Sequence, residues 1–279
     1  MPEIETILPA VRALKGVHLY HADMSNCSQR VRMTLEEKGV PWQSHLLDLI
    51  RNEHATEEYQ SINPKGVVPT LVHDGRTIIE SVDIIDYIDR NFPGPGLMPE
   101  DGTTRARAGN LLHRAAAIQG SVKLLSHEFL FKPVRKMSHA GVDEMARGHR
   151  NRELIAFLHE FADGFSDSRI KAAVAEFCEA FDAMEATLDE SGGPFLLGPA
   201  MSQADLAWIV NAHRVSLMGW DFSTWPEVRR WLAIMRTRPS YKKALKAYEP
   251  GAAGIAFRVY SAVRKLTGSS VNRWRPATR

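Results

Sequence analysis

The spacing of apolar and polar positions changes character near residue 95. Before it, short apolar runs alternate with amphipathic stretches. Residues 17–21 (VHLYH) are apolar and aromatic, which predicts a buried strand. A polar turn follows at 22–25. Over 28–38, Val31, Met33 and Leu35 stand among Arg30, Arg32, Glu36, Glu37 and Lys38, and Gly39 supplies a helix stop. Residues 42–49 read as a second strand and 52–61 as a polar loop with a short helical turn. Residues 67–73 read as a strand interrupted by proline. Asp74-Gly75 is a hairpin signal, 76–79 the return strand, and 81–91 a helix with Val82, Ile84, Ile85 and Ile88 facing inward. The run 92–96 (FPGPG) ends this block. After about residue 103 the strand signal disappears, and helical patterns cover 103–131, 167–189, 202–218, 225–237 and 239–247. A charged stretch, 135–167, reads as helical but weakly amphipathic. The pattern predicts an α/β domain followed by an all-α domain.

Composition narrows the class. The chain has 279 residues, enough for two domains, with 44% apolar and 24% charged residues, which is a globular balance. A net charge of +2 is too near neutral for a nucleic-acid binder. No apolar run approaches the roughly 18 residues of a membrane span. The start carries two glutamates and lacks the apolar core of a signal peptide. Two cysteines far apart, Cys27 and Cys178, make neither a disulfide framework nor a zinc site, so no metal is expected. A reducing, cytoplasmic compartment is the expectation.

Three places in the first block bear on chemistry. Ser25, Asn26, Cys27 and Ser28 stand between the first strand and the first helix, where unpaired N–H groups and the helix dipole favour an anion. A thiol brought there ionises more easily, and hydroxyls or an amide can hold the resulting sulfur anion. The same residues also serve as a plain helix cap. The run 63–71 (NPKGVVPTL) puts Pro69 at the head of a strand. A cis bond there would leave the backbone of Val68 unpaired, open to an extended peptide added as a strand; a turn with an edge-strand proline is the other reading. Glu80-Ser81 joins a strand end to a helix start, so Ser81 suits a carboxylate and Glu80 an ammonium, the two ends of an amino acid; simple capping of the helix is the other reading. In the second half, Ser202-Gln-Ala-Asp205 before the apolar run 206–210 is a capping box whose work is folding.

Together these motifs resemble the glutathione transferase superfamily along nearly the whole chain. SNCSQRVRMTLEEKG looks like the zeta-class loop, INPKGVVPTL like the cis-proline loop, and IIESVDIIDYIDRNFP like the Glu-Ser glutathione site. The resemblance implies a thioredoxin-like domain at 16–94 that holds glutathione as co-substrate. An all-α domain at 104–249 would hold a small aromatic electrophile, and 250–279 would be a basic C-terminal extension. By it, Ser25, with Asn26 and Ser28, forms the serine-type catalytic loop. Val68 and Pro69 hold the cysteinyl backbone, Glu80 and Ser81 the γ-glutamyl end, and His54 or Lys65 the glycine carboxylate. Tyr20 lies inside the first strand, away from a tyrosine-type role. The electrophile would lie against the helix from Arg105 to Phe131, with Trp208 and His213 beside it.

Two branches compete. NPKGVVPTLVHDGRTIIES is similar to the bacterial β-aryl etherases of lignin breakdown, although with the EKG anchor aligned Ser28 rather than Ser25 meets their serine. The helical half, with AHRVSLMGW after its capping box, is similar to the ganglioside-induced differentiation-associated proteins, without their membrane span. The resemblance also implies a homo- or heterodimer. In the tail, Arg258, Arg264, Lys265, Arg273, Arg275 and Arg279 meet no acid, and Ile255, Val259, Tyr260, Val263 and Leu266 make one apolar helix face. A helix packed across the second domain or over the active-site mouth is the expectation; contact with an anionic surface or a partner subunit, or steering of anionic substrate, is the alternative.

Overall fold

A computed structural model describes residues 3–5, 8–133, 135–249 and 251–276, and the chain divides into two compact units. The first comprises 1–95, 136–163 and 243–248; the second comprises 96–135, 164–242 and 249–279.

In the first unit, β1 (Glu3–Ile4), β2 (Val17–His21), β3 (Gln43–Leu46), β4 (Thr70–His73) and β5 (Arg76–Ile79) form a sheet in the order β1-β5-β4-β2-β3. β2 and β3 run parallel; the other pairs are antiparallel. Asp74 and Gly75, both at positive φ, close the β4–β5 hairpin as their residue types require. A short helix α1 (Pro9–Arg12) precedes β2, and α2 (Asn26–Lys38) and α4 (Ser81–Asn91) pack against each other. α3 (Glu57–Ile62) leads to the proline loop. Gly39 stops α2 in the left-handed conformation. Ile84, Ile85 and Ile88 of α4 are fully buried, each worth roughly 1.5–3 kcal/mol.

The expectation for 135–167 is corrected in detail. This stretch forms α7 (His139–Gly148) and α8 (Arg152–Asp163), which bury Val142, Met145, Ile155, Phe157, Leu158 and Phe161 and join the first unit. Gln60 of α3 clamps them: its amide donates to the carbonyls of Ala55 (2.7 Å) and Gly148 (2.8 Å), and its oxygen accepts the Arg150 N–H.

The second unit contains α5 (Gly102–Ala117), α6 (Gln119–Ser126), a π-helical turn at His127–Phe131, α9 (Asp167–Ser191), α10 (Gln203–Leu217), α11 (Pro226–Thr237) and α13 (Gly251–Leu266). The single helix expected over 103–131 is broken at Ile118, whose ψ is 0°. α12 (Pro239–Ala244) follows α11. The capping box forms and is buried. The Asp205 carboxylate accepts from the Ser202 N–H and Oγ, the Leu196 N–H and the Trp231 indole, all at 2.8–2.9 Å. Burial still pushes its pKa up, against those four donors.

Two expectations for this unit are corrected. Trp208 is fully buried with its indole on the Leu111 carbonyl. His213 is buried between the Glu249 carboxylate (2.6 Å) and the Tyr241 hydroxyl (2.9 Å). Both are core residues rather than walls for an electrophile. In α13 the packed residues are Phe257, Tyr260 and Arg264, with Arg264 over the Phe129 ring and paired to Glu128 at 3.0 Å. Ile255, Val259, Val263 and Leu266 are exposed, so most of the apolar face expected to pack does not. No described helix is long and apolar enough to cross a membrane.

Candidate functional site

The loop after β2 distinguishes its two serines. Ser25 is the N-cap of α2: its backbone is extended and its Oγ accepts the Ser28 N–H at 3.3 Å. It is half-buried, and its hydroxyl proton has no acceptor among the described residues. Ser28 is fully buried and its Oγ accepts the Ala22 N–H at 3.2 Å. One hydroxyl can therefore donate to an anion at the helix start, while the other fixes the loop from beneath. Asn26 is buried and Cys27 half-buried.

Under the loop lie two arginines, Arg30 and Arg32, that stand among the apolar positions of α2; both are buried. Arg32 donates to the carbonyls of Ala22 (2.9 Å), Asp23 (2.9 Å) and Ala244 (2.8 Å) and to His21 Nδ1 (3.0 Å), and lies 3.9 Å over the Tyr248 ring. Burial lowers its pKa only to about 10, so it is charged at neutral pH. Because His21 accepts at Nδ1, its Nε2–H donates to Ser44 Oγ at 2.7 Å. Burial, then the Arg32 charge, pushes the His21 pKa down to about 3. Arg30 reaches across to Ser81 Oγ at 3.0 Å and so ties α2 to the start of α4. The Arg-x-Arg pair within a run of buried helix positions was the available signal.

The second wall is built around the proline loop. The Val68–Pro69 bond is cis, as expected. The Val67 carbonyl accepts from Tyr59 Oη (2.7 Å) and Asn63 Nδ2 (2.9 Å), which holds the next residue in place. The Val68 side chain packs on Val11, Tyr59, Ile62 and Val72. Among the described residues, its N–H and C=O have no hydrogen-bond partner. A strand-like ligand therefore finds a donor and an acceptor there.

Glu80 and Ser81 stand where the sequence put them, at the β5–α4 junction. Glu80 has φ 66° and ψ 115°, a conformation that costs a non-glycine residue roughly 1–3 kcal/mol. Its carboxylate is paired with Lys65 Nζ, so two residues expected to hold opposite ends of a ligand here neutralise each other. Both side chains are about half exposed and can exchange partners.

His54 is buried in a 3-10 turn (Glu53–Ala55) with its ring edge-on to His149, 5.4 Å away, a placement that presents little of it to a carboxylate. His149, from the segment after α7, donates from Nε2 to the Gly66 carbonyl (3.1 Å) while Nδ1 accepts the Asn151 N–H (3.0 Å). A Cβ on Gly66, whose φ is +57°, would come within 2.9 Å of that ring. The sequence carried no signal for this contact, because its partners lie 83 residues apart.

A mixed sheet with a parallel β2–β3 pair, a cis-proline loop and helix starts at Ser25 and Ser81, followed by an all-helical unit, is the architecture of a glutathione transferase. Comparisons with known proteins agree. Models of the glutathione S-transferase N-terminal and C-terminal domains match residues 19–96 and 167–233. Glutathione S-transferase 1 of Dianthus caryophyllus is 30% identical over 190 residues, covering 68% of this chain and 73% of that one. The maleylacetoacetate isomerase of Pseudomonas aeruginosa is 28% identical over 235 residues, covering 83% and 97%. Among solved structures, the β-etherase LigF from Sphingobium sp. strain SYK-6 superposes with a TM-score of 0.74 at 22% identity, covering 82% and 98%, a likeness of fold. The chain belongs to the glutathione S-transferase family.

Proposed function

We propose that this protein uses the thiolate of glutathione to cleave a β-aryl ether in a hydrophobic aromatic substrate. The observation that carries the reading is the serine loop: Ser25 is half-buried with a hydroxyl proton to donate at the start of α2, while Ser28, whose Oγ accepts the Ala22 N–H, is fully buried. The tripeptide pairs its cysteinyl backbone with Val68, and its γ-glutamyl end displaces Lys65 from Glu80 to place an ammonium there. Ser81 and the α4 start take the carboxylate. The Ser25 hydroxyl and the α2 dipole stabilise the sulfur anion. The thiolate attacks the carbon bearing the aryloxy group; a C–S bond forms, the C–O bond breaks, and the phenolate leaves with the bonding pair and takes a proton from water. The fold likeness to LigF supports this choice of bond.

A second reading has its own support. Curated relatives include maleylacetoacetate isomerases. The same thiolate would then add to a carbon–carbon double bond and be eliminated after rotation.

The test is glutathione-dependent phenol release from the separated enantiomers of a β-aryl ether. Release from one enantiomer is expected, with Ser25→Ala losing about 10–100-fold in kcat/KM, as for a hydrogen bond to a charged group. Ser28→Ala should mainly lower stability. No release from either enantiomer by protein that still binds glutathione overturns the etherase reading. Unchanged turnover in Ser25→Ala overturns the serine assignment.

A further inference from the structure

The outer face of α13 is built unlike the rest of the second unit's surface. Ile255, Val259, Val263 and Leu266 are 58%, 58%, 49% and 88% exposed. Their spacing of four, four and three residues puts them on one stripe, about 16 Å long at 1.5 Å per residue. They make up most of the large, exposed hydrophobic side chains among the described residues. The opposite face is committed inward: Phe257 packs at the Phe131 ring, and Arg264 is held by Glu128 and Tyr260. The helix is thus anchored, and its stripe is presented on a fixed support.

Charge selects what meets this face. Arg258 and Lys265 border the stripe on one side and are exposed. Neither aspartate nor glutamate occurs anywhere in 251–279. A second copy of the chain docking stripe to stripe would bring these cations together with no acid on the helix to answer them. An anionic bilayer supplies both an apolar phase for the stripe and phosphates for the cations. The helix has 16 residues, short of the roughly 20 needed to cross, so it would lie flat.

We propose that α13 binds the surface of an anionic lipid bilayer, with Ile255, Val259, Val263 and Leu266 seated among the acyl-chain ends and Arg258 and Lys265 on lipid phosphates. A hydrophobic electrophile dissolved in that layer would then reach the enzyme by a two-dimensional search. The docking does not depend on which bond the active site cleaves.

The experiment is co-sedimentation of the full chain with vesicles of phosphatidylcholine alone or mixed with phosphatidylglycerol. Binding to the mixed vesicles, weakened by salt, is expected. The Arg258→Gln/Lys265→Gln variant should bind about 25-fold more weakly, near fivefold for each charge. Ile255→Ser/Val263→Ser should abolish binding while its melting temperature and glutathione affinity stay unchanged, since both residues are exposed. Three results would overturn the proposal: no binding by the parent chain, equal binding to neutral vesicles, or full binding by the serine variant. A serine variant that instead converts a dimer to a monomer in sedimentation, with no lipid bound by the parent, assigns the stripe to a second copy.

Discussion

Replacing Arg32 by methionine removes the guanidinium that holds the active loop from below while leaving an apolar chain of similar length. The Ala244 carbonyl and His21 Nδ1, both in buried residues, lose their donor; the Ala22 carbonyl keeps the Ser25 N–H, and that of Asp23 loses a donor it can regain from water. Each buried acceptor left unmet costs about 1–3 kcal/mol, and loss of the stack on Tyr248 adds about 1 kcal/mol. Against this, the variant no longer buries a charge, which recovers part of the desolvation penalty. A net loss of about 2–4 kcal/mol follows, or on the order of 10 °C in melting temperature at 2–4 °C per kcal/mol. Activity should fall further than stability, because Ala22 and Asp23 lead directly into Ser25. Arg32→Lys sharpens the test: it keeps the cost of burying a charge but cannot reach three carbonyls from one ammonium, so it should be no more stable than the methionine variant. The assays are thermal unfolding with and without glutathione, and turnover of an activated aryl halide well below the melting point. A methionine variant that loses less than about 1 kcal/mol and keeps full turnover would refute this account of the loop.

Three further outcomes follow from the described contacts. His21 and His127 are both depressed from 6.5 to about 3, chiefly by burial. For a base held neutral, the stabilisation is complete above the unfolded value of 6.5 and drains away as pH falls toward 3. At pH 5 each should cost about 2 kcal/mol, at about 1.4 kcal/mol per unit; a melting temperature that is flat from pH 7 to 5 contradicts the assignment. Asp205→Ala strands four donors and should cost at least about 4 kcal/mol in urea unfolding, with Asp205→Asn intermediate; a near-neutral alanine variant would mean the box is not a folding element. Glu80→Gly should raise stability by about 1 kcal/mol by relieving a strained φ, and raise KM for glutathione at least tenfold. Glu80→Gln should raise KM alone, and an unmoved KM in both leaves Glu80 as a mere partner of Lys65.

The elements whose pattern is local were legible in the sequence. The strands at 17–21 and 76–79, the helix at 81–91 and the Gly39 stop fall where periodicity and turn chemistry place them. The cis proline and the Asp205 box were readable for the same reason: each depends on residues within a few positions. What escaped depends on partners far along the chain. Arg30 and Arg32 look like surface charges until Ser81 and Ala244 arrive. His149 has no local mark and matters only because Gly66 is beneath it. In the sequence the aromatic and imidazole groups of Trp208 and His213 suit either a pocket wall or a core; their burial and hydrogen bonds decide for the core. The α13 stripe was visible as an amphipathic pattern, but which face packs was decided by Phe257 and by Arg264 finding Glu128.

The first unit is closed by residues 243–248, although its sheet and proline loop are complete by residue 95. On a ribosome adding about 5–20 residues per second, the strands and the serine loop emerge about 7–30 s before Ala244 and Tyr248. Through that interval Arg32 must stay hydrated or find a substitute acceptor, so the glutathione half of the enzyme cannot mature ahead of the chain that follows it. A nascent chain halted in α11 would carry every residue of the candidate thiol site and still lack the contact that sets its loop.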